Sequence, residues 1–328
     1  MAVALPALRA PLVNRLRSYN YAPLIALVVL FVISALLSPV FLQPGNLLNI
    51  VRQVSYSGIV ALGMTFVIIS GGIDLSVGSM MAWVGALSVA FLNYALAAPW
   101  AGGETGAIAL ATVVALGLGA VMGLANGLVI TKAGMAPFIV TLGTMAIYRS
   151  QALYYGEAGE IRSESPLYGE LGMSSVLAIP TPIWVFVLLA LGLNLLLNNT
   201  RYGRHLCAVG SNEKVARYAA IGVDRVRTWA YVIVGMMVGV SSVLLSARIN
   251  STSTTNFGVG YELDAIAAVA IGGTPMSGGR GSIWGTLIGA IILGIINNML
   301  NMMGVSPYLQ GTVKGAVIIA AVLIQKKL

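Results

Sequence analysis

Cysteine, histidine and charge are what this chain of 328 residues has least of. A single cysteine, Cys207, allows no internal disulfide, and with a single histidine, His205, there is no Cys/His cluster to hold a metal. Charged residues make up 9% of the chain, against about 25% in soluble domains. The motifs that are missing exclude more. No G-x-x-x-x-G-K-[ST] run is present, so the chain does not hydrolyse ATP through a P-loop. H-E-x-x-H and G-x-S-x-G are also absent, and no other set of nucleophile, base and metal ligands stands out, which disfavours a membrane enzyme.

What is present is apolar. Hydrophobic residues make up 58% of the chain and the mean hydropathy is +0.91, too much to hide in one soluble core. Apolar runs fall at 21–38, 57–70, 77–97, 107–131, 135–155, 180–198, 228–248, 262–273, 282–303 and 308–325. Several reach the ~20 residues that span a bilayer core, and such runs must be helical because backbone in lipid has to satisfy its own hydrogen bonds. The expectation is an all-α, polytopic transmembrane bundle of about ten spans. Residues 1–20 form an N-terminal arm and 21–328 a single membrane domain. The run 262–273 covers only roughly 18 Å and reads as a half-helix or part of a re-entrant hairpin; eight full spans with a re-entrant pair fit as well.

The net charge is +8, and its placement orients the chain. The arm carries Arg9, Arg15 and Arg17; the loop 199–227 carries Arg201, Arg204, Lys214, Arg217, Arg225 and Arg227 against Glu213 and Asp224; the C-terminus ends in Lys326 and Lys327. These regions are expected in the cytoplasm, with both termini inside. The loop 156–178, with Glu157, Glu160, Glu164 and Glu170 against Arg162, is expected outside. Such flanking charge marks a membrane protein and not a nucleic-acid binder. Arg52 and Arg248 run against the rule, near the outer side. Small residues recur every four positions, as at Gly119, Gly123 and Gly127, Gly235 and Gly239, Gly281, Gly285 and Gly289, and Gly311 and Gly315. Tight internal helix packing is the favoured reading.

Two glycine-rich interruptions stand in the two halves, "ISGGIDLSVGS" (69–79) and "IGGTPMSGGRGS" (271–282). Paired interruptions point to a transport pathway, because a broken helix exposes backbone groups to a cavity. Candidate path residues are Gly71, Gly72, Asp74 and Ser76 in the first, and Gly272, Gly273 and Thr274 in the second. Asp74 reads as a helix cap, with substrate contact left open. An asparagine stripe, Asn297, Asn298 and Asn301, with the first and last i and i+4 on one helix, suits sugar hydroxyls or helix-to-helix bonding equally. On the cytoplasmic side, 209–227 predicts a short helix capped by Ser211 or Asn212, with Glu213 in its first turn, Ala216, Ala219 and Ala220 on a small-residue surface, and Gly222 closing it in a left-handed conformation. It reads as a docking element for a partner. Buried acids for ion coupling are few: Asp74, Glu262 and Asp264.

At these stretches, and at "GYELDAIAAVAIGGTPMSGGRGSIWGTLIGA" (260–290) and "NNMLNMMGVSPYLQGTVKGAVI" (297–318), the chain resembles the membrane permeases of bacterial sugar ABC importers, its ribose permeases most of all. The likeness runs from about Tyr21 to the end. It implies a plasma-membrane permease working as a pair with a second copy. It also implies a separate cytoplasmic ATPase that carries ATP and magnesium and receives the 211–222 helix as a coupling helix, and a soluble sugar-binding protein that docks outside. No cofactor is implied in this chain. The alternative from the residues alone is an ion-coupled secondary transporter, which the scarcity of buried acids disfavours.

Overall fold

The structure, a computed structural model, describes residues 21–327, so the N-terminal arm lies outside the described residues. The described chain is mostly helical: α1 (Ala22–Leu37), α2 (Pro44–Ile69), α3 (Val77–Leu96), α4 (Gly103–Lys132), α5 (Pro137–Tyr155), α6 (Pro166–Met173), α7 (Thr181–Asn199), α8 (Arg201–Ser211), α9 (Glu213–Tyr218), α10 (Val223–Ile249), α11 (Tyr261–Ile271), α12 (Ile283–Met302) and α13 (Pro307–Lys327). Among the described residues, α2, α3, α4, α7, α10 and α12 are long and apolar enough to cross a membrane, and α1 is a shorter apolar helix.

Proline sets several starts. Pro44, Pro137 and Pro166 occupy the first helical position, where the missing N–H is no loss. Helix α2 therefore begins well before the apolar run at 57. At 26 residues it is about 39 Å long, more than a ~30 Å bilayer core requires. Helix α11, at 11 residues, reaches only about 16 Å.

The all-α expectation needs a small correction. Two short antiparallel pairs form, β1 (Glu160–Arg162) with β4 (Ser251–Ser253), and β2 (Ser175–Val176) with β3 (Ile179–Pro180). The first pair ties the acidic loop to the chain leaving α10, and Ser251 donates its hydroxyl to Glu160 across it. Helix α6 lies in the same region, so one end of the bundle has an ordered acidic cover. The other end carries α8 and α9 and is basic.

Helix α10 packs along α4 and α2 and forms the centre of the core, with Tyr231 and Val234 fully buried. Glycine makes the α4–α10 contact backbone to backbone. A Cβ on Gly119 would overlap the carbonyl of Gly235, and one on Gly123 the carbonyl of Tyr231. The stripe Gly285–Gly289 similarly seats α12 on Gly272 and Ala268 of α11, while Gly311 and Gly315 face open space. A buried Thr65–Thr286 hydroxyl pair, 2.8 Å apart, pins α2 to α12.

Gly119→Val should lower the melting temperature of the purified protein, overpacking of this kind costing ~1–3 kcal/mol. Gly117→Val, at a position with no atom within 4 Å, should leave it unchanged.

Candidate functional site

The two interruptions close in the same way. Helix α2 ends on Ser70, and Gly71 turns left-handed (φ 83°). The N–H of Gly71 then bonds the carbonyl of Ile68 at 2.9 Å, and that of Gly72 bonds Val67 at 3.0 Å. Helix α11 ends on Gly272, and Gly273 turns left-handed (φ 88°). Its N–H bonds Ala270 at 2.9 Å, and the N–H of Thr274 bonds Val269 at 3.2 Å. Both are Schellman closures, which satisfy the last carbonyls of a helix without water. The breaks then meet: the N–H of Gly279 donates to the carbonyl of Ile69 at 2.9 Å. Gly281 is packed so closely that a Cβ there would strike Ile69 and Thr274.

Asp74 is fully buried just beyond the first break. Its expected capping role is corrected. The N-cap position of α3 is Ser76, which makes no side-chain cap bond. Asp74 instead closes a tighter turn, its Oδ1 accepting the N–H of Ser76 at 2.8 Å and the Ser76 hydroxyl at 2.6 Å. Asn126 of α4 donates to Ser76 Oγ at 2.9 Å, and Tyr148 of α5 lies 3.5 Å from Asn126 Oδ1. The carbonyl of Ile73 has Thr141 and Tyr231 hydroxyls at 3.4 Å. Asp74 is thus the hub of a buried polar cluster joining four helices. In contrast, α12 has an ordinary cap: Ser282 Oγ accepts from Gly285 N–H at 3.1 Å.

The basic end abuts this junction. The 199–227 segment holds two helices where one was expected, because "RYGRHLCAVGS" folds as the amphipathic α8, capped by Thr200. Gly210 of α8 is so close to the carbonyl of Ile69 and the N–H of Gly279 that no side chain fits there. The Ser211 hydroxyl reaches the Gly279 carbonyl at 3.4 Å. Asn212 then caps α9, accepting from Val215 N–H at 3.1 Å. Ala216 is buried, while Val215 and Tyr218 project outward, 60% and 90% exposed. Glu213 pairs with Arg217 (2.9 Å) and Arg227 (3.0 Å), and Asp224 with Arg217 (3.0 Å).

Gly222 does not close α9. The left-handed residue is Ala220 (φ 58°), reached after Ala219, with the N–H of Ile221 bonding Ala216 at 3.0 Å. Gly222 sits at φ −72°, a value open to any residue, because the helix ends two residues sooner than its composition suggests.

A cavity of about 220 Å³ opens in the other half of the bundle, toward the acidic end, between α2, α10, α11 and α12. Its polar lining includes Gln53, Tyr56, Arg248, Asp264, Asn297 and Asn298. Asn297 Oδ1 is buried and has no hydrogen-bond partner among the described residues. Arg248 lies over the Tyr56 ring at 5.6 Å, and Lys314 of α13 neutralises Asp264 at 3.0 Å. Asn301 does not reach this cavity. It is exposed at the end of α12 and accepts from Gln310 at 2.8 Å. Asn298 bonds Asn46 of α2 at 2.9 Å, so the two readings of the asparagine stripe divide between neighbours. Asn297 as a path candidate, Asp264 as a buried acid and Arg248 as a cation against the charge rule were the sequence signals for this cavity. Gln53 and Tyr56 carried none.

A bundle of membrane-length helices, with two interrupted segments meeting beside a polar cavity, is the framework of a multi-pass transport permease. Residues 46–322 match the family described as the permease component of branched-chain amino acid transport systems, and the chain belongs to that family. It is the permease component of an ABC importer in the inner membrane, and not itself the catalytic part. It is 41% identical over 308 residues to the ribose import permease of Escherichia coli (strain K12), covering 93% of this chain and 92% of that one. It is 44% identical over 307 residues to the ribose import permease of Bacillus subtilis (strain 168), with the same coverage. Its identity to the L-arabinose transport system permease of Escherichia coli (strain K12) is 33% over 307 residues, 94% of this chain and 90% of that one. No solved structure matches the chain.

Asp74→Asn keeps the Oδ1 acceptor and should transport nearly normally in reconstituted vesicles. Asp74→Leu strands the buried Ser76 N–H and hydroxyl, at a cost of about 1–3 kcal/mol. It should lower both melting temperature and uptake.

Proposed function

We propose that the chain conducts a monosaccharide, ribose first among them, into the cell as one of two copies in an ATP-driven importer. A separate ABC ATPase, carrying ATP and magnesium, binds the basic end; a soluble sugar-binding protein delivers its cargo at the acidic end. The chain itself holds no cofactor. Residues 21–328 act as one permease domain of about ten spans: the six clear ones, with α1, α5 and α13, and the half-helix α11 continued by the interruption at 272–282. Both termini and 199–227 lie in the cytoplasm.

The observation that carries this reading is the continuity from α9 to the breaks. The exposed Val215 and Tyr218 offer a partner an apolar contact. Ala216 is buried beneath them, and Gly210 and Ser211 press on the junction of Ile69 with Gly279. A partner that shifts α9 therefore acts where both broken helices end. The sugar enters above this junction, through the cavity of Gln53, Tyr56, Arg248 and Asn297. Asn297 Oδ1 can accept from a hydroxyl that has left water. Asp264 is already neutralised by Lys314, so the cavity offers no free carboxylate to a cationic solute. Binding there is shallow, so that the sugar released by its binding protein is not trapped. Gly71, Gly72, Asp74, Gly272, Gly273 and Thr274 give the junction its shape and do not form the entry.

The Glu213 carboxyl is held below the usual glutamate range by hydrogen bonds from Arg217 and then Arg227. Its tie from α9 to Arg227 of α10 is present above the ordinary value of ~4.3 and is lost only as pH falls through the lowered one. Coupling should therefore be insensitive to this group between about pH 5.5 and pH 8.

Vesicles containing permease, ATPase and binding protein test the reading. Uptake should require ATP and ribose-loaded binding protein. Tyr218→Ala with Val215→Asp should cut uptake tenfold or more while the protein stays folded in the membrane. Uptake driven by an ion gradient alone would overturn it. For orientation, Glu160→Cys should react with an impermeant thiol reagent added outside intact cells; labelling only from the cytoplasmic side would reverse the topology.

A further inference from the structure

The close approach of α4 and α10 leaves a furrow on their outward side, an open groove of about 430 Å³. Along its length it is apolar, with Val121, Leu124 and Leu128 all exposed. The hydroxyls within it are spent. Thr131 bonds the carbonyl of Gly127 and Thr228 that of Asp224, both at 2.8 Å, and the two hydroxyls lie 3.2 Å apart. The groove therefore offers hydrocarbon a surface that demands no hydrogen bonds.

Its mouth differs. Lys132, at the end of α4, and Arg225, in the first turn of α10, both line it at the basic end of the bundle and are exposed. The one carboxylate beside them, Asp224, is taken by Arg217 at 3.0 Å. Neither Lys132 nor Arg225 has an ion pair among the described residues. Trp229, half exposed, sits one turn deeper, where an indole marks the boundary between headgroups and chains. Two free cations above an apolar furrow complement a phosphodiester carrying acyl chains. A second copy of this chain would meet them badly, since it would bring two more cations and no free carboxylate.

We propose that this groove binds one anionic phospholipid, its phosphate between Lys132 and Arg225 and an acyl chain along Val121, Leu124 and Leu128. The lipid bridges the end of α4 and the start of α10, next to α9. The site is independent of which solute is carried, so its test needs no transport. The full-length permease, purified in nanodiscs of equal phosphatidylglycerol and phosphatidylcholine with matched chains, is released into a native mass spectrometer. Wild type should retain phosphatidylglycerol at least fivefold over phosphatidylcholine. K132Q/R225Q should abolish that preference, and Leu124→Trp, which fills the furrow, should lower retention of both lipids. All three positions are exposed, and an unchanged melting temperature confirms folding. The proposal is overturned by equal retention of the two lipids in wild type, or by a preference that survives K132Q/R225Q. It is equally overturned if Leu124→Trp leaves lipid retention intact while shifting the monomer–dimer balance, which would assign the groove to a second copy.

Discussion

Backbone N–H and C=O groups inside an apolar slab must find partners within the protein, and this one demand shapes the centre of the molecule. A helix meets it automatically; an interruption does not. Here each interruption disposes of its helix-end carbonyls through the same glycine closure, at Gly71 and at Gly273. What is left over at Ile69 is met by Gly279 of the other interruption. The two broken segments are thereby each other's solvent. That is why glycine gathers there: a Cβ at Gly278 would press on the backbone of Ile69 and Gly71, one at Gly279 on Ser211, and one at Gly281 on the side chains of Ile69 and Thr274.

The polar groups divide along the bundle axis. The half toward the acidic end has a cavity with side-chain amides, a guanidinium and a neutralised carboxylate. The half toward the basic end holds the junction, with its buried side-chain bonds and backbone contacts. Solute recognition and mechanical linkage are thus kept in separate layers, joined by α2 and α12, which run through both and are pinned by Thr65 and Thr286.

Much of this was legible in the sequence, and the parts that were not share a cause. Apolar runs and paired glycines are local signals, so the spans and the interruptions stood out. Helix starts did not, because Pro44 opens α2 with polar residues such as Asn46, Asn49 and Arg52 that extend beyond the apolar run. Helix α8 is short and mixed in polarity, and only its contact with Ile69 shows its importance. Ala220 in a left-handed conformation has no signature, since nothing in its chemistry favours it there. The cavity depended on residues from four helices; Asn297, Asp264 and Arg248 were each conspicuous alone, but no local signal brought them together. Asn301 looked equivalent to Asn297 by spacing, but it lies one turn further along α12, past the cavity, where it is exposed and accepts from Gln310.

The pair between Asp264 and Lys314 bears on how the chain is made. Helix α11 is too short to cross the bilayer by itself, and it carries Asp264 in its first turn. The lysine that neutralises this acid comes 50 residues later, in the last helix. During synthesis α11 is therefore made before its counter-charge exists, and the pair can close only once α13 has left the ribosome. Helix α13 acts as a latch on assembly, and a chain cut short before Lys314 would present the cell's quality control with an unpaired acid beside an unfinished cavity.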